Sequence, residues 1–301
     1  MRWISLLGVL LIGCSDGVPV VDGQQKINFS QVFHVGPRPV SVLIVRPAQP
    51  TDTEYEHSLL AGDAWVAALE DHQGPWRVAY LPTGASEELL NVGELAHFAT
   101  GRRWVAADMA DPRAEMQDLL QPIDGDAARN PVFESIARMR DVRANDTFFM
   151  GADGLLVVHV VSESGDDSPQ GARDKLEDWL NEDVLWADSE VVASTSGAEM
   201  DDIGKLANAT GGFSLSITDE EGPQRAANVY TSSMTNYNIR LASPAYEHTI
   251  RVLPIRWQGP DFVVGEDFEY DPERREISLE TFRPVDRTQV WVSYVPQVAR
   301  Y

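Results

Sequence analysis

Two periodicities divide the chain. Between residues 39 and 232, short apolar runs alternate with longer stretches whose apolar positions recur every three or four residues. The short runs Val40–Val45, Trp76–Leu81, Arg103–Ala107, Leu155–Ser162, Glu190–Ser194 and Phe213–Ile217 read as strands. The stretches between them read as helices. Thr53-x-x-Glu56 has the spacing of a capping box, and Tyr55, Leu59, Gly62, Val66 and Leu69 then fall on one helical face. Asp111-Pro112 and Asn130-Pro131 each set a cap residue before a proline at the first helical position. Two further helices are expected in "GARDKLEDWLNEDV" and in "MDDIGKLANATGG", the second stopped by Gly211-Gly212. "GLLVVHVVSES" (Gly154–Ser164) has no polar alternation, as expected of a strand covered on both faces. Strands and helices in this order predict a doubly wound, mainly parallel α/β sheet.

From residue 233 to 301 the helical spacing disappears. "YNIRLA", "HTIRVLPIRW", "REISLETF" and "TQVWVSYV" alternate apolar and polar positions with period two, with turn signals such as Asp271-Pro272 between them. This predicts a small antiparallel β unit. Residues 14–38 are polar, contain glycine and show little periodicity, which reads as a tether.

The first thirteen residues have Arg2, an apolar run from Trp3 to Ile12 and then small residues, the pattern of a secretory signal peptide. That run is too short to span a bilayer as a helix. Leu11-Ile12-Gly13-Cys14 resembles the lipobox of bacterial lipoproteins, and Cys14 is the only cysteine. The resemblance implies that Cys14 becomes the first mature residue and anchors the chain in a membrane through its lipid. Ser15 follows Cys14 where aspartate would favour retention in the inner membrane, so the expected location is the Gram-negative cell envelope, at the outer membrane rather than the inner.

Composition narrows the partners. Hydrophobic residues make up 43% of the 301 residues, enough for an ordinary core. The formal net charge is -23, from 47 acidic and 24 basic residues. Nucleic acid and anionic lipid surfaces call for a basic patch, so neither is an expected partner through charge.

Little in the sequence points to catalysis. Glycine-rich phosphate loops, HExxH and GxSxG are missing from it. The six histidines, His34, His57, His72, His97, His159 and His248, have no ligand spacing. His159 falls inside the buried strand and reads as a core residue. "SESGDDSPQ" gathers Glu163, Asp166, Asp167 and Ser168 without an EF-hand register, so it reads as a solvated acidic loop.

Taken together, these segments resemble the von Willebrand factor A-like domain, and most closely the secreted lipoproteins of that type in Gram-negative bacteria. The likeness runs from about Val40 to Val295 and rests on "VSVLIVRPAQPTD", "RANDTFFMGADG", "LLVVHVVSESGDDS", "LANATGGFSLSI" and the C-terminal "YNIRLASPAYEHTIRVLPI", "FEYDPERREISL" and "VWVSYV". In that family an aspartate-x-serine-x-serine loop, a later threonine and an aspartate after the central strand hold a divalent cation, whose open position takes a carboxylate of the partner. Here Arg46, Ala48 and Pro50 stand at the first three positions and Glu163 at the last. The loop Pro122–Pro131 has no threonine. The resemblance therefore implies a pseudo-site without metal or other cofactor.

The resulting expectation is a non-enzymatic, lipid-anchored envelope protein that binds a protein or cell-surface component. Its candidate rim is Arg46, Gln49, Thr51, Asp52, Glu163, Asp166 and Asp167, with an Arg46–Glu163 ion pair in place of the cation. Three other readings remain: an adhesin with calcium or magnesium at Asp166 and Asp167, a passive envelope component, and a hydrolase using Ser162, Glu163 or Ser168 with His159.

Overall fold

The structure is a computed structural model. It describes residues 20–21, 24–25, 29–126, 128–139, 141–148, 154–169, 171–172, 174–176, 188–196, 202–231, 234–241, 243–255, 262–279, 281–282 and 288–297. Cys14, the signal segment and most of "GARDKLEDWLNEDV" lie outside them. Among the described residues no helix is long and apolar enough to cross a membrane.

The chain divides into two compact units, residues 34–237 with 283–288, and residues 1–33 with 238–282 and 289–301. Where a tether was expected, Val20–Val21 pairs antiparallel with Gln24–Gln25, and a longer strand, β1 (Phe29–Pro37), follows. The sequence "FSQVFHVGP" has no clean alternation, and its pairing is distant in sequence, with Gly36 and Pro37 opposite Asn236 and Thr235. A local pattern cannot report such a strand.

In the larger unit, β2 (Val40–Pro47), β3 (Trp76–Thr83), β4 (Leu155–Ser162), β5 (Asp188–Thr195) and β6 (Phe213–Ser216) form one sheet in the order β3-β2-β4-β5-β6. Every pair is parallel. This is the mixed α/β arrangement expected from the sequence. The chain order reverses between β2 and β4, where an open α/β sheet leaves a crevice at the strands' C-terminal ends. Arg103–Ala107 is not a sixth strand. Only Val105 pairs, through two hydrogen bonds to Val78 on the outer strand, while Arg102 and Arg103 turn to local carboxylates and carbonyls. That single bridge covers part of a free edge.

The sheet is buried on both faces. On one, Val42, Ile44, Tyr80 and Val157 pack with α1 (Asp52–Glu70), α2 (Pro112–Leu119) and α5 (Gly222–Thr231). On the other, Leu43, Val45, Val158 and Val160 pack with α3 (Val132–Met139) and α4 (Asp202–Ala209). Gly62 lets α1 approach α2: a β-carbon there would lie 2.8 Å from Leu120 Cδ1 and 3.0 Å from Met116 Cγ. Asp111 caps α2 as expected, accepting from Ala114 N–H at 3.1 Å, with Pro112 first in the helix. Helix α5 has a weak sequence signature because its buried stripe is Ala226, Ala227 and Tyr230 rather than large aliphatics.

The larger unit also holds β7 (Thr235–Asn236), which pairs antiparallel with the end of β1. In the smaller unit the strands are short. Strands β8 (Asn238–Arg240), β10 (Phe268–Asp271) and β11 (Glu276–Leu279) form an antiparallel sheet in the order β8-β11-β10. Strand β9 (Arg251–Pro254) pairs antiparallel with β12 (Thr288–Tyr294). The β10–β11 hairpin turns at Pro272–Arg275, where Asp271 Oδ1 accepts from Glu273 and Arg274 N–H and Arg275 takes φ 58°. The period-two reading of this region agrees with the structure.

Candidate crevice at the strand ends

Three loops meet at the C-terminal ends of β2, β3 and β4. The first, Ala48–Thr51, leads from β2 into α1. Its helix is capped by Thr51 rather than Thr53: Thr51 Oγ1 accepts from Glu54 N–H, and Glu54 Oε2 accepts from Thr51 N–H at 2.8 Å. The box has the expected i, i+3 spacing, two residues earlier than the sequence suggested. The earlier start also gives α1 two acidic residues in its first turn, Asp52 and Glu54, where the helix dipole favours them.

Glu54 extends this cap across the crevice. Its other oxygen, Oε1, accepts from Glu163 N–H at 2.8 Å, and Thr51 Oγ1 donates to Glu163 Oε2 at 2.6 Å. The loops after β2 and β4 are thus latched by one buried carboxylate and one exposed one. Ser196 Oγ, just beyond β5, donates to the Glu163 carbonyl at 3.0 Å.

A second tie joins β3 to β4. Asn130, 5% exposed, accepts at Oδ1 from Thr83 Oγ1 at 2.6 Å and donates from Nδ2 to Ser162 Oγ at 2.8 Å. Its side chain therefore does not cap α3, as the Asn-Pro sequence suggested. The cap comes from the loop after β4: Asp166 Oδ1 accepts from Phe133 N–H at 3.0 Å, and Ser168 Oγ accepts from Glu134 N–H at 2.9 Å. Ser168 also donates to Asp166 Oδ1. Burial outweighs these hydrogen bonds and raises the Asp166 pKa. Asp167, Asp52 and Gln49 stay exposed at the rim, and Gln49 Nε2 donates to Asp124 Oδ1 at 3.1 Å.

The expected Arg46–Glu163 ion pair is not formed. Arg46 is fully buried on the α1 side of the sheet. Its Nη1 donates to Ser58 Oγ at 2.8 Å, and its Nη2 donates to Tyr80 Oη and the Leu120 carbonyl, each at 3.0 Å. Nε donates to the Pro47 carbonyl at 3.3 Å. The guanidinium also lies 4.8 Å from the Tyr80 ring centroid and 5.4 Å from that of Tyr55. Residues alternate across β2, so Arg46 follows Val42 and Ile44 inward, while Glu163 lies past the end of β4. Two residues near neighbouring strand ends thus point to different places. Arg46 also leaves the candidate rim, since it has no exposed surface. Buried Tyr80 is correspondingly hard to ionise: desolvation raises its pKa, only partly opposed by Arg46.

Neither Ala48 nor Pro50 carries a side-chain oxygen, and Ala48 is buried, with its backbone bonded to Thr83 and Ile123. The oxygens that remain at the crevice, on Thr51, Glu54 and Glu163, hydrogen-bond to one another and to N–H groups. These oxygens are thus engaged within the protein, and Ala48 and Pro50 add none to them. Among the described residues no three histidine, cysteine or acidic side chains converge as a metal site.

The groups named for a hydrolase are also apart in their bonding. Both ring nitrogens of His159 are engaged with Trp65 and Ser194, Ser162 Oγ donates to the Ser164 carbonyl, and Ser168 serves Asp166. Beside the crevice, a cavity of about 410 Å³ opens at the end of β3, lined by Pro82, Gly84, Leu90, Asp126 and Arg129 among others. It carries no sequence motif. Asn130 was read only as a helix cap, and Glu54, Ser58 and Tyr80 escaped the sequence reading. Glu54 alone had a signal, its spacing from Thr51.

No family model matches the chain, and no curated protein matches it. Among solved structures, 94 chains match. A von Willebrand factor type A protein from Catenulispora acidiphila shares 9% identity at a TM-score of 0.43, over 90% of this chain and 66% of that one. The pilus adhesin SpaC from Lactobacillus rhamnosus GG, in its open conformation, shares 7% identity at 0.42, over 89% of this chain and 40% of that one. Proximal thread matrix protein 1 from the mussel byssus shares 9% at 0.40, over 71% and 52%. This chain thus spans less than two thirds of each. Its assignment as an α/β protein rests on its own strand order and packing.

Proposed function

We propose that this chain is a lipid-anchored envelope protein whose α/β unit binds a protein or cell-surface partner at the crevice rim, without a metal ion and without catalysis. The observation that carries the reading is the latch of Thr51, Glu54 and Glu163. Of the positions that surround the cation in the resembled family only Glu163 keeps a side-chain oxygen here, and it is bonded to Thr51 while Glu54 holds its N–H, which leaves a stiff rim of Gln49, Thr51, Asp52, Glu163 and Asp167. Pro47 and Pro50 fix the backbone on either side of Ala48. The lipobox-like segment supports anchoring through Cys14, and the pilus adhesin and von Willebrand-type neighbours are consistent with a binding role.

The test uses the chain with Cys14→Ala, kept in water. Titration calorimetry with magnesium, calcium and manganese is expected to give no saturable heat. Affinity capture from envelope extract is expected to enrich a partner equally with and without EDTA, and to lose it with Gln49→Arg plus Asp167→Arg. Saturable metal heat, EDTA-sensitive capture, or a partner indifferent to the rim changes overturns the proposal. Radiolabelled palmitate incorporation that persists in Cys14→Ala overturns the anchor.

A further inference from the structure

His159 sits on β4 beneath α1 and is fully buried. Trp65 Nε1 donates to its Nδ1 at 2.9 Å, and its Nε2 lies 2.8 Å from Ser194 Oγ. An indole N–H only donates, so Nδ1 must be the bare nitrogen and Nε2 must carry the proton to Ser194. Hydrogen bonding alone therefore sets one neutral tautomer, which joins α1 to β4 and β5. A proton on Nδ1 would face the Trp65 N–H directly.

A second histidine stands next to it. His57, on α1, is 3% exposed, and its ring meets that of His159 edge-on at 6.2 Å between centroids. Its Nε2 has no hydrogen-bond partner, nor has the buried hydroxyl of Thr195. The groups acting on His57 are the Ile217 carbonyl and the Asp219 carboxylate, both favouring its charged form, and Asp219 is itself paired with Arg225. The titratable group acting on His159 is His57, which opposes its charging. Burial dominates at both sites: it lowers the His57 pKa and depresses that of His159 to about 3. His57 follows Glu54 by one helical turn.

We propose that this histidine pair makes the crevice acid-sensitive: a proton on His159 or His57 breaks the tie of α1 to the sheet at Trp65, and the latch from Thr51 and Glu54 to Glu163, at the start of the same helix, opens with it. The sign follows from the proton balance. In the unfolded chain these histidines take up protons near their ordinary value, whereas in the folded chain burial holds both below it, His159 down to about 3. The histidine contribution to stability is complete above about pH 6.5 and falls below it, by about tenfold in the folding equilibrium constant per pH unit for His159 and in the same direction for His57. The inference goes beyond partner binding and is measured on the isolated chain, so it stands or fails separately from that reading.

The experiment is urea unfolding of the Cys14→Ala chain at pH 7.5, 6.0 and 5.0, with amide hydrogen exchange of Thr51 and Glu163 followed at each pH. His159→Gln retains an acceptor for Trp65 and a donor for Ser194 without a titratable ring, and His57→Gln removes the second ring. His72 is also held below its ordinary value by burial and adds to the slope, so the comparison with the variants carries the test. The wild type is expected to lose at least tenfold in the folding constant between pH 6.0 and 5.0. Each variant is expected to show a shallower loss, and the Glu163 amide to lose protection before the central amides of β4. A flat wild-type profile, equal slopes in all three proteins, or Glu163 protection that tracks the central strand overturns the proposal. Should His159→Gln fail to fold, ring nitrogen shifts of the wild type decide. A bare Nδ1 that does not titrate down to pH 5 supports it, and titration near pH 6.5 overturns it.

Discussion

The two faces of the central sheet share one backbone and one alternation, yet they are filled differently. Beneath α3 and α4 the strands present Leu43, Val45, Val158, Val160 and Ala193, and their buried polar positions, Ser41, Thr83, Ser162 and Thr195, are small uncharged hydroxyls. Beneath α1 the same strands begin with Val42, Ile44 and Val157 and then, toward their C-terminal ends, present Arg46, His159 and Ser194. The polar groups of that face lie below the crevice, and those of Arg46 and His159 are met by Ser58, Tyr80, Trp65 and main-chain carbonyls. A charged group is tolerated in a core when its N–H groups find acceptors. The cost of disturbing such a group should therefore exceed the cost of a simple void.

The largest effect is expected at Arg46. Arg46→Ala leaves a cavity and strips the Leu120 carbonyl and the Tyr80 and Ser58 hydroxyls of their donor, for a loss of about 4 kcal/mol in urea unfolding. Leu43→Ala, on the face beneath α3 and α4, is expected to cost about 3 kcal/mol through its cavity alone. The reverse ranking would break the comparison. Arg46→Met sharpens it: volume is kept, so a remaining loss of about 2 kcal/mol measures the orphaned acceptors. Glu54→Gln keeps one acceptor oxygen and is expected to cost about 1 kcal/mol, with faster exchange at the Glu163 or Thr51 amide. Gln49→Ala, at the exposed rim, is expected to change stability by less than about 0.5 kcal/mol. In alkali, Tyr80 adds a signature of the polar face. Its folded pKa is raised, so its contribution is complete below the ordinary phenol value near 10 and is lost as pH rises further. Tyr80→Phe should flatten that decline in an alkaline unfolding series.

The strands beneath the crevice were legible because their residues answer to local rules. β4 was readable to the residue, since an uninterrupted apolar run has few other uses, and the period-two stretches after residue 233 became strands. The parallel pairing of β2 with β4 fits the doubly wound sheet expected from the sequence. The crevice was legible only as a location. Its contents depend on which way each side chain leaves the backbone at a strand end, where alternation gives way to loop geometry. Arg46 and Glu163 show this: their positions in sequence suggested a pair, but one ends in the core and the other at the surface. Asp166 took the capping role that the Asn-Pro motif suggested for Asn130, because a cap supplied from another loop leaves no mark beside the helix it serves. The proximity of His57 and His159, 102 positions apart, is a property of packing α1 on the sheet, and spacing cannot disclose it.

Gly62 carries a constraint on how this sequence can change. It admits Met116 and Leu120 against α1, and the Leu120 carbonyl that arrives with them is one of the acceptors of the Arg46 guanidinium. A larger residue at 62 would press on the Leu120 and Met116 side chains, and any shift of that turn of chain would disturb the acceptor. With a hydrocarbon at 46 the same displacement would cost less, because no cation would be left wanting. Positions 46 and 62 are therefore epistatic, with effects that do not add. Substitution at 62 is expected to cost more with arginine at 46 than with methionine there, as a double-mutant cycle in urea would read.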